Sequence, residues 1–516
     1  MAKKLKFSKL ILAFIAFVVG MCSIIYELLI STISSYLMGD SIRQFSIIIG
    51  IYLASMGIGS FFSRWISKKV VSSFIIIELL LGFVGAISVP LCYFYYSYSD
   101  AEGYQFFVLF LTAIIGSLTG FEIPLLTRIM EGDFSLKDNI SNVLTFDYLG
   151  ALLATLLFPF LLVPFVGLFK SSLIFGLINI GMGVFSIILL KDELIREKRF
   201  KKIIAFTAII IGSIILGMLW KANSLMQFWN DSIFRYPIIH TENSPYQNIT
   251  VTSHPEEFRL YLNGAIQFSS RDEYRYHEAL VHIPLSQIDS VKNVLVLGGG
   301  EGLAAREILK YKELEKLTIV DIDPAISRLS KNLPLFKELN NNALVHPKVN
   351  VIHDDAFQFL SHTTERYDAI VLDLPDPTSE AIARLYSAVF FNMVLQRLEK
   401  DGIAVTQATS PELTKNAFWC INETMKESGF SYTYPYRVNV PSFGNWGFIM
   451  AKGNPFLKDY LRTDIDYKFL EDDILDHVFY FPKDIRVEDS EVNHLDAPIL
   501  LEYYLDHWRS LQGQKR

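Results

Sequence analysis

The 516-residue chain is predicted to be a multi-domain protein, in which an α-helical transmembrane bundle, a small β-hairpin domain and an α/β domain follow one another. Three observations predict this order. Residues 1–220 are dominated by long apolar runs. An Asn-Gly pair at 263–264, a strong hairpin signal, then lies between two apolar segments. Beyond it, short apolar strands alternate with helical segments, as in a parallel sheet with helices on both faces.

The N-terminal region contains about seven apolar runs that each approach or exceed the ~20 residues a helix needs to cross a membrane. They lie near residues 9–30, 44–63, 72–96, 105–127, 145–169, 171–190 and 203–220. The first run is not a cleaved signal peptide, because no small-residue cleavage site follows it and further spans do. The fifth contains Pro159 and Pro164, which favour a kinked or re-entrant pair.

Four acidic residues lie within or at the edges of these runs: Glu27, Glu78, Glu122 and Asp147. Carboxylates in hydrocarbon are expensive, and they usually face the interior of a bundle or a water-filled path. Two interpretations stay open. The acids could form a cation pathway or sensing site, or they could pair with Arg43, Arg64 or the backbone and hold the bundle together.

Charge and cysteine content separate the two halves of the chain. Residues 1–220 contain 17 Lys and Arg against 13 Asp and Glu, whereas the remaining residues contain 30 against 41. An acidic soluble half would attract a polycationic substrate, although acidic surfaces often serve solubility alone. The cysteines have no metal-binding spacing, so we expect neither a disulfide framework nor a zinc site at Cys22, Cys92 and Cys420.

The soluble half begins with a small β lid at residues 240–270, in which two strands flank the Asn-Gly turn. The alternation that follows predicts strands at 293–297, 317–321, 349–352, 368–373 and 402–407. Helices are predicted between them at 302–312, 324–332, 355–362 and 380–400. This doubly wound order predicts a parallel sheet.

The most informative motif starts where the first of these strands ends. Its apolar residues lead into Gly298, Gly300 and Gly302, which allow a tight turn and bring the backbone against a ligand. Asp321 closes the next strand, where a carboxylate can accept both hydroxyls of a ribose. A dinucleotide fingerprint needs a third glycine at position 303, which is Leu. The motif therefore favours a Rossmann-like domain of the S-adenosylmethionine type over a plain strand–helix turn.

Further carboxylates are expected in the same crevice. Asp373 and Asp376 end the fourth strand, Glu301 lies in the glycine loop, and Asp355 lies in the next crossover. The carboxyl ends of parallel strands meet at one edge, where ligands bind. Two Asp in a proline-rich turn are often turn formers. Together with the glycine loop, however, so many acids suit two cationic substrates better than a methyl donor alone.

In this order and spacing, the chain resembles the spermidine synthase (polyamine aminopropyltransferase) family, in particular members fused to an N-terminal multipass membrane domain. The resemblance covers roughly residues 240–450 and rests on residues 246–249, 262–264, 271–278, 298–302, 321–323, 354–356 and 373–377. It implies transfer of an aminopropyl group from decarboxylated S-adenosylmethionine to putrescine, giving spermidine and 5′-methylthioadenosine. The donor is a cosubstrate, and neither a prosthetic group nor a metal is expected.

The resemblance also implies roles on the donor side. The loop at Gly298 and Gly300 would receive the donor, Glu301 would hold its amine, and Asp321 would bind the ribose hydroxyls. Three further residues would contact the adenine edge or the nucleoside: Asp355, Ala356 and Gln247. Gln247 could instead bond only to backbone.

On the acceptor side, Asp373 matches the family's catalytic acid, which as a general base would accept a proton from the attacking amine. Asp376 matches the residue that anchors the other ammonium group. Tyr276 and His277 match residues lining the polyamine channel, although such a pair beside a hairpin could simply pack and cap.

The departures from the family pattern touch mainly the acceptor side. Leu374 and Pro375 stand between the two Asp, where the family usually has small hydroxyl residues. The lid at 378–386 lacks the family's Gly-Pro, and Phe443 stands where a Tyr is common. Putrescine is therefore the default acceptor, and cadaverine or a longer polyamine stays open.

Two other functions compete with this one. The first is a methyltransferase that uses intact S-adenosylmethionine. The second is a polyamine transporter or sensor with a non-catalytic ligand-binding domain, which the acids in the apolar runs would support.

Basic residues set the expected orientation. They concentrate near the N-terminus and in residues 64–69, 128–137 and 191–202, all on one side, so the N-terminus should be cytoplasmic. Seven crossings would then place the soluble half outside, where the adenosyl donor is not expected. Because the chemistry outweighs the count, we expect a multi-pass protein of the cell membrane with its catalytic domain in the cytoplasm.

The predicted domains are 1–220 for the bundle, 221–285 for the linker and hairpin lid, 286–460 for the Rossmann-like domain and 461–516 for a C-terminal extension. The expected partners are the polyamine, the adenosyl donor and the lipid bilayer, and no nucleic acid. A homodimer or homotetramer is also expected from the resemblance, since the family's soluble members associate through the hairpin region.

Overall fold

The computed structural model describes residues 2–38, 41–130, 136–190, 198–234, 236–453, 455, 458 and 460–513. The chain divides into two compact units, Met1–Arg235 and Tyr236–Arg516. The finer division into four domains stays a prediction. Part of the basic segment 191–202 lies outside the described residues.

The first unit is helical. Its helices are α1 (Ala2–Met38), α2 (Ser41–Ser63), α3 (Val70–Tyr98), α4 (Ala101–Gly120), α5 (Glu122–Ile129), α6 (Leu136–Leu157), α7 (Leu168–Leu189), α8 (Lys198–Trp220) and α9 (Ala222–Ile233). Among the described residues, seven helical stretches are long and apolar enough to cross a membrane, as the sequence predicts. Small residues let two of the helices approach closely, because a Cβ on Gly176 of α7 would lie 2.5 Å from the carbonyl oxygen of Gly82 of α3.

The stretch that contains the two prolines does not form a separate element. Phe158–Val166 continues α6 as a π-helix, with Pro159 near its start and Pro164 inside it. Proline removes backbone donors from the helical ladder, and such irregular turns accommodate the loss. The candidate span therefore runs without interruption over Lys137–Val166.

The second unit starts with an antiparallel four-stranded sheet: β1 (Ile238–Asn243), β2 (Asn248–His254), β3 (Glu257–Leu262) and β4 (Ala265–Ser269), in that order. The predicted turn joins β3 to β4, and Asn263 (φ 50°) and Gly264 (φ 81°) both adopt the left-handed conformation that a tight hairpin needs. The sheet packs on Leu303, Ile326 and Phe336 of the larger fold. It is thus part of the same compact unit.

The larger sheet has seven strands: β5 (Asn293–Gly298), β6 (Lys316–Val320), β7 (Val349–Ile352), β8 (Tyr367–Asp373), β9 (Leu398–Gln407), β10 (Tyr432–Val440) and β11 (Gly444–Lys452). Their order is β10-β11-β9-β8-β5-β6-β7. Strands β5 to β9 are parallel, as the alternation predicts, whereas β11 runs antiparallel to both neighbours. Strands β10 and β11 are not predicted from the sequence. Pro435 lies in β10, which tolerates it as an edge strand.

The helices of this unit are α10 (Glu273–Leu285), α11 (Leu303–Ile308), α12 (Pro324–Asn332), α13 (Pro334–Leu339), α14 (Ala356–His362), α15 (Glu380–Ala383), α16 (Ala388–Gln396), α17 (Lys415–Glu427), α18 (Asp472–Val478) and α19 (Ile499–Gly513). Short 3₁₀ turns occupy Ala343–Val345, Arg384–Tyr386 and Lys483–Ile485. The prediction of one helix over 380–400 is wrong. Ser387 caps α16, since its hydroxyl oxygen accepts from the Phe390 amide at 3.3 Å, and β9 already begins at Leu398.

Candidate active site

The site forms at the carboxyl edge of the larger sheet, between β5 and β8. These strands are neighbours, but the chain leaves β5 toward β6 on one side and returns to β8 on the other, which opens a crevice. Gly298 is the register partner of Asp373. Its φ of 85° suits glycine, and a Cβ there would lie 2.1 Å from the Asp373 carbonyl oxygen. The glycine loop therefore lies directly against the strand end that carries the predicted base.

Asp321 is fixed on the same loop. Its carboxylate accepts from the amide of Gly300 at 2.9 Å and from the amide of Asp323 at 2.8 Å. A Cβ on Gly300 would lie 2.5 Å from the carboxylate, so only glycine allows this approach. Burial raises the pKa of Asp321 to about 6, although the two amides oppose the shift. The carboxylate stands at the strand end where the sequence predicts ribose binding.

Asp373 lies close to three other predicted site residues. The Tyr276 hydroxyl donates to Asp373 Oδ1 at 2.8 Å. His277 Nε2 lies 3.8 Å from Glu301 Oε1. One ligand atom each from His277, Glu301 and Asp373 all lie within 4.8 Å of one another. The sequence-predicted Tyr276, His277, Glu301 and Asp373 are therefore brought together.

The electrostatics of this group are set by burial and by opposite neighbours. Burial raises the pKa of Asp373 to about 7, and the charge of Glu301 adds to the rise, while His277 and the Tyr276 hydroxyl oppose it. A carboxyl group with such a pKa can exchange a proton near neutral pH. One oxygen of Glu301, Oε1, is buried without a hydrogen-bond partner among the described residues. Glu301 Oε1 is therefore a hydrogen-bond acceptor in the crevice that a donor of a ligand can satisfy.

These three ligand atoms are spaced closely enough to hold a metal ion. They also suit the amine of a ligand, because the two carboxylates accept hydrogen bonds and an ammonium group only donates them. The expectation that no metal is needed stays a prediction.

A carboxylate that contacts Nδ1 keeps the His277 side chain protonated. Its Nδ1 donates to Glu273 Oε2 at 2.8 Å, and Arg306 pairs with both oxygens of Glu273 at 2.8 and 3.0 Å. Burial alone would lower the pKa of His277, but the hydrogen bond to Glu273 and the nearby carboxylate of Glu301 raise it to about 10. The imidazolium therefore keeps its positive charge between two acids. Neither Glu273 nor Arg306 was singled out by the sequence.

Asp376 lies in a hydrogen-bond network of its own. The Tyr504 hydroxyl donates to its Oδ2 at 2.9 Å, and Gln407 Nε2 donates to its Oδ1 at 3.4 Å. Burial raises the pKa of Asp376 to about 6 against these two donors. The Gln407 amide also donates to the Tyr386 hydroxyl at 2.6 Å, and the buried Tyr386 side chain lies close to the charges of both Asp376 and Asp373. Tyr386 thus lies near both predicted acceptor-side acids without a hydrogen bond to either among the described contacts.

Sequence reasoning missed Tyr504 and Gln407. Gln407 ends strand β9, so the rule that ligands bind at carboxyl ends of parallel strands could have found it. Tyr504 lies on α19 in the C-terminal extension, and its sequence context carries no motif.

The predicted adenine and nucleoside residues are engaged in local structure. Asp355 caps α14 by accepting from the amides of Phe357 and Gln358 at 3.0 and 3.1 Å, and it also pairs with Arg384. Ala356 is buried at the first position of that helix. Gln247 Nε2 donates to Asp323 Oδ2 at 2.9 Å, so its amide bonds a side chain and not only backbone. Their roles toward a nucleoside stay predictions.

Comparison with known proteins gives consistent matches. The spermine/spermidine synthase domain family matches residues 273–460. The chain is 40% identical to a polyamine aminopropyltransferase of Leptospira interrogans, over 96% of this chain and 98% of that protein. It is 38% identical to polyamine aminopropyltransferase 2 of Ralstonia nicotianae (97% and 98%) and 36% identical to a polyamine aminopropyltransferase of Oceanobacillus iheyensis (96% and 96%).

Two solved structures also match. One is a spermidine synthase in complex with the transition state analogue AdoDATO, with a TM-score of 0.45, 21% identity and coverage of 48% of this chain and 86% of that chain. The other is the spermidine synthase of Thermotoga maritima, with a TM-score of 0.44, 21% identity and the same coverage.

Proposed function

The chain belongs to the polyamine aminopropyltransferase (spermine/spermidine synthase) family, and from this premise we propose which of its residues carry the reaction. The enzyme transfers the aminopropyl group of decarboxylated S-adenosylmethionine, its cosubstrate, to a polyamine. Putrescine is the acceptor that we propose, with spermidine and 5′-methylthioadenosine as products. The relatives favour this function over a methyltransferase and over a non-catalytic sensor.

Asp373 is the proposed general base. Its Oδ1 is held by Tyr276, while its Oδ2 lies 3.4 Å from where a Cβ on Gly299 would stand, and so it faces the glycine loop. A carboxylate in this position takes a proton from the acceptor ammonium. The free amine then attacks the carbon next to the sulfonium, and the carbon–sulfur bond breaks with its electron pair moving to sulfur. Proximity supplies much of the acceleration, because a sulfonium is already a good electrophile.

Glu301 and Asp321 are proposed to hold the donor. The Oε1 of Glu301 offers an acceptor for the donor's amine, and His277 offsets part of the negative charge that Glu301 and Asp373 bring to the crevice. Asp321 offers its remaining lone pairs to the ribose hydroxyls beside the backbone of Gly300. The adenine edge is assigned to Asp355 and Ala356, and a nucleoside contact to Gln247, on the resemblance alone.

Asp376 is proposed to anchor the far ammonium of the acceptor. Tyr504 and Gln407 hold its carboxylate, and Leu374 and Pro375 separate it from Asp373 along the chain. The two ammonium groups of a diamine would then meet one acid each. The observation that carries the whole proposal is the convergence of Tyr276, His277, Glu301 and Asp373 beside the glycine loop.

Release of methylthioadenosine from decarboxylated donor and putrescine tests the proposal. We expect Asp373→Asn to lower kcat by about 10²- to 10⁴-fold, the contribution typical of a general base. Asp289→Asn is the matched control, because that side chain is 97% exposed and lies outside the site. Release that survives in Asp373→Asn would remove Asp373 as the base.

We further propose that the seven apolar helices lie in the cell membrane, with the catalytic unit in the cytoplasm where the donor is made. An odd number of crossings then places the N-terminus opposite, against the distribution of basic residues. A single cysteine introduced as Asp289→Cys tests the side, because the native cysteines are buried. A membrane-impermeant maleimide should label this cysteine only after the cells are permeabilised. Labelling of intact cells would show that the catalytic unit lies outside the cell.

Assembly through the four-stranded sheet β1–β4 into a homodimer or homotetramer is a separate proposal. Sedimentation of the purified chain gives its mass directly, and a monomer at all concentrations would contradict it.

A further inference from the structure

The acceptor side of the crevice receives one side chain from the C-terminal end of the chain. Tyr504 lies on α19, and its hydroxyl donates to Asp376 Oδ2 at 2.9 Å. The match to the spermine/spermidine synthase domain covers residues 273–460, so Tyr504 lies outside the matched domain. The segment 493–506 therefore adds to the proposed anchor a side chain that the matched domain does not contain.

Asn493 fixes this segment against three helices of the second unit. The residue is 0% exposed, and its side-chain Nδ2 donates to the carbonyl oxygen of Ala383 in α15 at 2.9 Å. Its own carbonyl oxygen accepts from the amide of Ala388 at the start of α16 at 3.0 Å. Its backbone amide donates to the Thr424 hydroxyl of α17 at 2.9 Å. Because buried polar groups with partners hold one arrangement, the segment that carries Tyr504 has a defined position.

A buried side chain lies against each oxygen of the Asp376 carboxyl group. Tyr504, which is 7% exposed, donates to Oδ2, and Gln407, which is 2% exposed, donates to Oδ1 at 3.4 Å. Gln407 Nε2 also donates to the Leu374 carbonyl oxygen at 2.8 Å and to the buried Tyr386 hydroxyl at 2.6 Å. Tyr504 packs in the same buried apolar cluster as Tyr386. An ammonium group that reaches Asp376 therefore meets a carboxyl group with a side chain on both oxygens.

The space beside Asp376 decides how long an acceptor can be. A diamine ends at its second nitrogen, whereas the chain of a triamine such as spermidine continues past that nitrogen and needs further room. Gln407 is tied to the backbone of Leu374, so the ring of Tyr504 is the boundary that α19 brings to the site. Extra methylene groups do not enter space that a well-packed side chain already fills.

We propose that Tyr504 is a specificity-determining residue, which closes the acceptor site at Asp376 and restricts the acceptor to a diamine. The inference rests on the proposed function, in which Asp376 anchors the far ammonium group. It goes further by assigning the choice between diamine and triamine to the C-terminal helix.

The ratio of kcat/KM for spermidine to kcat/KM for putrescine tests the proposal, measured as initial rates of methylthioadenosine release by the full-length chain. Tyr504→Ala should raise this ratio about tenfold or more, because loss of the ring makes room for the additional chain. Tyr504→Phe loses the same hydrogen bond but keeps the ring, so its ratio should stay within about twofold of the parent. Tyr503→Ala is the matched control, since it makes the same truncation at a residue whose hydroxyl contacts Glu491, and it should leave the ratio unchanged.

A second variant covers the case in which Tyr504→Ala does not fold. Tyr504→Leu shortens the side chain but keeps apolar packing and helix propensity, and it should also raise the ratio. The KM for the decarboxylated donor should stay within about twofold of the parent in each variant, because the donor residues are untouched.

Three results overturn the inference: a ratio that neither Tyr504→Ala nor Tyr504→Leu changes, an equal rise in Tyr504→Phe, or a parent that uses spermidine as well as putrescine. Failure of the proposed anchor has a different signature. In that case Asp376→Asn leaves the KM for putrescine unchanged, whatever the Tyr504 variants do.

Discussion

The two units bury their acids in different ways. In the crevice at the carboxyl edge of the larger sheet, groups of the chain donate hydrogen bonds to two of the acids: the Tyr276 hydroxyl donates to Asp373, and the amides of Gly300 and Asp323 donate to Asp321. In the helical unit, the buried Glu78 accepts a hydrogen bond from Asn179 Nδ2 at 2.9 Å, and the buried Glu122 stands at the start of α5. Burial raises the pKa of an acid and hydrogen-bond donors lower it, so the donors that a buried acid receives set the pH at which it exchanges a proton.

The largest effect that distinguishes the crevice from the helical unit is expected from a substitution of Asp376, the proposed anchor of the acceptor. Asp376→Asn removes the charge that we assign to the far ammonium, and a hydrogen bond to a charged group contributes about 1.5–3 kcal/mol. We therefore expect the KM for putrescine to rise about 10- to 100-fold, with a smaller effect on kcat, in steady-state release of methylthioadenosine. An unchanged KM would move the acceptor's second ammonium elsewhere.

The Tyr276 hydroxyl, which donates a hydrogen bond to the proposed base Asp373, should influence how activity depends on pH. As the proposed general base, Asp373 must act as a carboxylate, so kcat/KM should fall as pH drops through about 7, the raised pKa of Asp373. The Tyr276 hydroxyl lowers that pKa, and Tyr276→Phe should therefore shift the acid limb to higher pH. At pH 7 we expect a loss of about tenfold, recovered at higher pH. A pH profile that keeps its midpoint in the variant would show that this hydrogen bond does not tune the base.

A smaller effect is expected from the C-terminal helix. Tyr504→Phe removes one neutral donor from Asp376 and should raise the KM for putrescine about fivefold, the effect of roughly 1 kcal/mol. Tyr503→Phe is the matched control, because the Tyr503 hydroxyl donates to Glu491 at 2.6 Å. Equal KM values for the two variants would remove Tyr504 from the acceptor side.

The smallest change should come from the helical unit. Glu78→Gln changes a buried carboxyl group of the helical unit but none of the proposed catalytic residues, so methylthioadenosine release from the full-length variant should stay within about twofold of the parent. A large loss of release would show that the helical unit and the crevice are energetically coupled, and the comparison between two independent groups would fail.

Much of the fold followed from local patterns in the sequence. The seven apolar stretches, the turn at Asn263 and Gly264 and the strand at 349–352 were predicted because hydrophobic periodicity and turn chemistry act over a few residues. The break near Ser387 and the β10–β11 pair were not predicted. A helix cap causes the break near Ser387, and cross-strand hydrogen bonds form the β10–β11 pair. Neither can be recognised from a few neighbouring residues of the sequence.

The sequence by itself determined which acids end parallel strands, and that rule placed Asp321 and Asp373 at one edge of the sheet. Only the tertiary structure decided which side chains hold them. Tyr276 lies 97 residues from Asp373, and Tyr504 lies 128 residues from Asp376. The same holds for Glu78 and Asn179, which are 101 residues apart. Contacts at such separations depend on how helices and strands pack, since periodicity identifies a buried face but not the partner that this face meets.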